Sequence, residues 1–139
     1  NFEAKILHIP GHTSGHIAYH FFKEKKIFTG DTLFSLGCGR IFEGTYEQMF
    51  NSLKKIKTLH KDTEVYCGHE YTLQNSNFCA KYDSNNFQLK NKITKIKEKL
   101  ESGLPTVPTI LNEEIQCNLF LKANDVQTFS KLRDLKDNF

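Results

Sequence analysis

The chain has no run approaching the roughly 18 to 20 consecutive apolar residues that a membrane span requires, and it does not open with the basic and apolar segments of a signal peptide. Both absences argue against a membrane partner. It also lacks any C-x-x-C pair: Cys38, Cys67, Cys79 and Cys117 are widely spaced, which excludes a zinc ribbon or a thioredoxin-like redox motif and leaves reduced thiols in an intracellular protein as the simplest reading. No compact basic stripe with interleaved aromatics is present. The net charge of +3 comes from Lys scattered among Glu and Asp along helix-like stretches, a solvated face that argues against a nucleic-acid partner. There is no internal repeat and no low-complexity tract. What remains is a globular sequence of 139 residues, about one domain's length.

Apolar runs alternating with turns fill the first thirty residues: Ala4 to Ile9, His16 to Phe22, and Lys26 to Phe28 leading into Gly30-Asp31. They predict strands, with Lys23-Glu24-Lys25-Lys26 as a hairpin turn. From Thr45 to Leu59, Tyr46, Met49, Phe50, Leu53, Ile56 and Leu59 recur at helical spacing behind a capping threonine. That helix is expected to cover the sheet, and Glu64 to Cys67 is expected to add a strand. Beyond His69 the strand signal fades. Helices are predicted over Leu73 to Lys81 and Phe87 to Leu100, with Gly103 and Pro105 as stops, and then, after a loop through Thr106-Val107-Pro108, from Asn124 to Leu135. The expected class is α/β: a layered region over 1–72 followed by a helical region over 73–139.

Three features place a metal-capable side chain where a strand gives way to a glycine-containing loop. They are His12 and His16 in Pro10-Gly11-His12-Thr13-Ser14-Gly15-His16, Asp31 in Thr29-Gly30-Asp31-Thr32, and His69 in Cys67-Gly68-His69-Glu70-Tyr71. Imidazole nitrogen and carboxylate oxygen suit borderline cations such as zinc, and a carboxylate has two oxygens with which to bridge two ions. A single histidine beside a glycine is more often an ordinary turn residue. Three such features in order are harder to assign to coincidence, and they are expected to converge on one cleft.

In these motifs the chain resembles the metallo-β-lactamase superfamily and, within it, the hydroxyacylglutathione hydrolases, or glyoxalase II family. Gly37-Cys38-Gly39-Arg40-Ile41-Phe42-Glu43-Gly44-Thr45, Gly68-His69-Glu70-Tyr71-Thr72, Gly103 to Thr109 and the ending Arg133 to Phe139 extend the resemblance over essentially the whole chain. The resemblance implies the C-terminal part of an αββα sandwich followed by an all-helical substrate-binding region. It implies hydrolysis of S-(2-hydroxyacyl)glutathione thioesters such as S-D-lactoylglutathione, in methylglyoxal detoxification, by a hydroxide that two divalent ions activate. Zinc is the expected metal, with iron and manganese compatible with the same ligands.

Residue by residue, the resemblance makes His12 a ligand of the first ion, Asp31 the bridging carboxylate and His69 a ligand of the second. His16 is implied to support the site rather than ligate. Arg133 and Lys136, three residues apart on one helix face, match the basic pair that holds the glycine carboxylate of glutathione, and as an alternative are a solvated helix end. Arg40 and Tyr71 match further substrate contacts. Phe42 stands where some members carry a tyrosine, so that one hydrogen bond is replaced by packing. The leading T-H-x-H-x-D-H motif is not in these residues and is expected upstream of Asn1, which leaves one histidine per ion and weak metal binding by this chain alone. The alternatives are a glutathione persulfide dioxygenase of the same superfamily and a noncatalytic glutathione-binding fragment. The expected compartment is the cytoplasm, or a mitochondrion or other organelle, and nothing in the motifs sets an oligomeric state.

Overall fold

The computed structural model describes residues 1–139. Its elements are, in order, β1 (Lys5–His8), β2 (Ile17–Phe21), β3 (Lys26–Gly30), β4 (Leu33–Phe34), β5 (Gly37–Cys38), α1 (Tyr46–Lys57), β6 (Glu64–Cys67), α2 (Thr72–Tyr82), α3 (Phe87–Glu101), β7 (Thr109–Ile110), α4 (Leu111–Cys117), α5 (Leu119–Lys122) and α6 (Val126–Asp137).

The five-stranded sheet runs β1-β2-β3-β6-β7. Neighbours are antiparallel except β3 and β6, which pair in parallel, and a parallel pair needs a crossover that α1 supplies. Alternation along the strands decides which face α1 covers. Ala18, Ile27 and Val65 point to one side and are wholly buried in a cluster with Met49, Leu53 and Ile56 of α1. Each of these side chains other than Ala18 contributes about 1.5 to 3 kcal/mol when removed from water. Thr45 and Gln48 start the helix with a reciprocal capping box. On the other face Ile6, Tyr19 and Phe28 are 55%, 48% and 42% exposed, with Phe28 stacked on Tyr66 at 4.9 Å. One broad apolar face of the sheet is therefore open to solvent.

The predicted strands and the helix over Thr45 to Leu59 form within one or two residues of their expected ends, although Lys26 belongs to β3 rather than to the turn, where Lys25 takes a left-handed φ of 53°. The helical region holds, with additions that the sequence reading lacked. β7 returns to the sheet beside β6, and α4 and α5 occupy what was read as loop.

The strand directions place the site. β1 and β3 both run antiparallel to β2, and β6 runs parallel to β3, so β1, β3 and β6 point the same way. The loops that follow them open on one edge of the sheet, and these loops carry His12, Asp31 and His69.

Candidate active site

Asp31 is flanked by the two histidines. His12 Nε2 lies 3.5 Å from Oδ2, and His69 Nε2 lies 3.2 Å from Oδ1, so each carboxylate oxygen faces one imidazole. His12 Nδ1 donates to the carbonyl of Arg40 at 2.8 Å, and this proton placement leaves the Nε2 lone pair turned toward Asp31. The His12 ring also packs on Phe42 with centroids 4.9 Å apart, and the His69 ring stacks on Tyr71 at 4.7 Å.

His16 reaches the site through the backbone. With Nδ1 carrying its proton toward Thr13 Oγ1, Nε2 accepts the amide N–H of Asp31 at 3.2 Å. Gly30 makes this approach possible. Its φ of +54° is left-handed, and a Cβ there would sit 2.6 Å from His16 Nε2.

A cleft of about 480 Å³ opens over these groups and is lined by His12, Asp31, His69, Arg40, Phe42, Tyr71, Arg133 and Lys136. The structure thus gathers every side chain that the sequence pointed to, with His16 behind the wall. Gln74 and Asn75 also line the cleft, although the sequence reading passed over them. Their only sequence signal was position, three and four residues after Tyr71 at the start of α2.

The basic residues divide. Arg133 is 3% exposed, and its guanidinium is occupied: Nη1 donates to the carbonyl of Cys38 at 2.6 Å, while Nη2 and Nε hold Asp137 Oδ1 at 3.0 and 3.1 Å. Arg40 is more open and lies 3.8 Å from the same carboxylate. Partial burial, together with repulsion from Arg133 and Arg40, depresses the Lys136 ammonium below its ordinary range. Three cations and one carboxylate leave this wall electropositive. Burial raises the thiol of Cys38, and that of Cys67, so neither is an activated thiolate at neutral pH.

The donor types around Asp31 suit divalent cations, but no three His, Cys, Asp or Glu side chains of the chain gather into a complete metal centre. Each carboxylate oxygen has a single imidazole partner. The donor set fits part of a divalent-cation site.

Comparison with known proteins agrees with both halves of this geometry. Residues 70–139 match the family described as hydroxyacylglutathione hydrolase C-terminus, and residues 2–69 match the metallo-beta-lactamase superfamily. The chain belongs to the hydroxyacylglutathione hydrolase family. It is 63% identical to a hydroxyacylglutathione hydrolase of Pelagibacter ubique over its full length and 58% of that relative, and 48% identical to one of Prochlorococcus marinus strain MIT 9301 over 97% of the chain and 55% of the relative. The chain therefore spans little more than half the length of these hydrolases. Among solved structures, ETHE1 from Myxococcus xanthus superposes with a TM-score of 0.65 at 25% identity over 94% of the chain and 44% of that protein. A metallo-beta-lactamase from Staphylococcus aureus gives 0.62 at 21% identity over 98% of the chain and 39% of that protein, a likeness of fold alone.

Proposed function

We propose that this chain forms the part of a metal-dependent thioester hydrolase that carries the bridging carboxylate and the substrate cations, acting on S-(2-hydroxyacyl)glutathiones such as S-D-lactoylglutathione. The observation that carries the reading is the convergence of His12, Asp31 and His69 on one cleft that Arg40 and Lys136 also line.

Membership of the superfamily implies divalent metal ions, and in our reading His12, Asp31 and His69 would hold them in part, with zinc as the metal. Bound there, such ions supply Lewis acidity and activate water near neutral pH. Asp31, held through its own N–H by His16, keeps one oxygen toward each histidine. Arg40 and Lys136 attract the carboxylate end of a glutathione conjugate, and an anion there would offset the burial and the neighbouring cations that depress Lys136. Arg133, being occupied internally, frames that wall rather than contacting substrate directly. Phe42 and Tyr71 offer apolar walls for the acyl and thioester portions.

A second reading, a noncatalytic glutathione-binding unit, is favoured by the incomplete donor set around Asp31. Hydrolysis of S-D-lactoylglutathione and metal content, measured on the same samples, decide between them. The samples are this chain and a polypeptide extended to the full length of its relatives. The expected result is metal-dependent turnover by the extended protein. Metal binding without turnover in either overturns the thioesterase proposal.

A further inference from the structure

The segment joining Asp31 to Arg40 is held largely from outside itself. Asn75 Nδ2 donates to the carbonyl of Ser35 at 3.1 Å, Cys79 Sγ to that of Leu36 at 3.3 Å, and Asn118 Nδ2 to those of Phe34 and Gly37 at 3.3 and 3.1 Å. At the centre lies Glu114 of α4, with no exposed surface. Its Oε1 accepts the Leu36 N–H at 2.7 Å and Asn118 Nδ2 at 3.1 Å, and its Oε2 accepts Ser35 Oγ at 3.1 Å and Thr109 Oγ1 at 2.7 Å. Lys92 Nζ stands 3.4 Å from Oε2 and 2.9 Å from Glu113. Burial would lower the Lys92 ammonium, but the two carboxylates outweigh it and hold its pKa above the ordinary value.

A buried carboxylate is costly unless its oxygens are hydrogen-bonded, and here each oxygen takes one donor from the Leu33–Cys38 hairpin, the Leu36 N–H on Oε1 and Ser35 Oγ on Oε2. Leu36, at the turn between β4 and β5, adopts a left-handed φ of 59° that a leucine rarely takes, and its N–H is the one bound most closely by Glu114. The hairpin leads at once to the site. Gly39 N–H donates to the carbonyl of Thr32 at 3.1 Å, its Cα lies against the carbonyl of Asp31, and the next residue, Arg40, offers the carbonyl that takes the His12 Nδ1 proton.

We propose that Glu114 is a positioning residue: by fixing the Leu33–Cys38 hairpin from the helical region, it sets the Arg40 carbonyl and with it the proton placement on His12. Its consequence for catalysis rests on the thioesterase reading, but its geometry does not. An apolar residue of equal volume would fill the space and abandon the donors, and a glutamine would turn an N–H₂ toward groups that already donate.

The test uses the 139-residue chain at one fixed pH without metal or substrate, so its failure is separate from failure of the hydrolysis assay. Histidine ¹⁵N spectra and amide hydrogen exchange are recorded for the wild type, Glu114→Gln, Ser35→Ala and the core variant Ile56→Ala. The expected result is a His12 protonated on Nδ1 in the wild type and in Ile56→Ala, and a mixed tautomer in Glu114→Gln. The Gly39 amide should exchange about tenfold faster in Glu114→Gln than the loss of global stability explains. Ser35→Ala, which removes one donor, should show the same changes in smaller measure and replaces Glu114→Gln if that variant does not fold. A His12 protonated on Nε2 in the wild type, or a Gly39 amide and His12 spectrum that merely follow those of Ile56→Ala, overturns the proposal.

Discussion

Arg133 Nη1 donates to the carbonyl of Cys38 at 2.6 Å, joining α6 to the loop that carries Arg40 across 95 residues of sequence. The same guanidinium holds Asp137 and lies over the Phe120 ring, 5.2 Å from its centroid. A single fork satisfies a buried carbonyl, a carboxylate and an aromatic face. Arg133→Ala should therefore destabilise the chain by about 2 to 4 kcal/mol in urea unfolding, and Arg133→Lys should recover little, because an ammonium cannot reproduce the planar fork. Lys136→Ala, one turn away and less buried, should cost at most about 0.5 kcal/mol.

The two basic residues should separate in kinetics as well. On the thioesterase proposal, Lys136→Ala in the extended protein should raise KM for S-D-lactoylglutathione about tenfold with kcat within about twofold, as loss of binding common to ground and transition states requires. Steady-state assays at constant ionic strength check this. An unchanged KM removes Lys136 from the substrate wall.

Gly39 has no room for a side chain, since a Cβ there would lie 1.9 Å from the carbonyl oxygen of Asp31, whereas one at Gly15 would meet nothing within 4 Å. Gly39→Ala must move backbone beside Asp31 and should cost about 3 kcal/mol or more, while Gly15→Ala should stay within about 0.5 kcal/mol of the wild type. Thermal melts of both variants against the wild type distinguish the two sites.

Cys79, packed with Leu36, Leu89, Ile96 and Cys117, has its thiol pushed by burial from 9.0 up to about 12. The folded state therefore keeps its proton where the unfolded chain releases it. The stabilisation from the neutral thiol is complete below pH 9 and is lost as pH climbs toward 12. One such group adds a slope approaching about 1.4 kcal/mol per pH unit. Urea titrations at pH 8 and pH 10.5 should show a smaller alkaline loss for Cys79→Ala than for the wild type, the other alkaline groups being common to both. Equal losses would show that the thiol ionises as readily in the folded chain as in the unfolded one.

Much of the scaffold was legible in the sequence because local rules and tertiary structure agree there. Strands β1 to β3 carry short apolar runs between turn residues, α1 repeats its apolar positions at helical spacing behind Thr45, and these elements form where expected. His12, Asp31 and His69 could be singled out because each follows a strand at a glycine, and three strands pointing the same way bring such loops together. The segment from Leu104 to Ala123 was not legible. Its strand β7 is two residues long, its helices α4 and α5 are seven and four residues long, and one of its most buried side chains is a carboxylate, so neither periodicity nor apolarity marks it.

Sequence by itself thus determined the class of the fold, the chemical types at the site and the order in which they occur, because these follow from spacing, turn chemistry and ligand preference. Tertiary structure decided how each member of that set is held at the cleft. Arg133 and Lys136 lie three residues apart on α6, read alike in sequence and both line the cleft, yet Arg133 is 3% exposed with its guanidinium bound to the Cys38 carbonyl, while Lys136 is less buried. Glu114 was not singled out in the sequence. Its role came from Ser35, Leu36, Thr109 and Asn118 meeting around it, and only packing brings donors that far apart in sequence to one carboxylate.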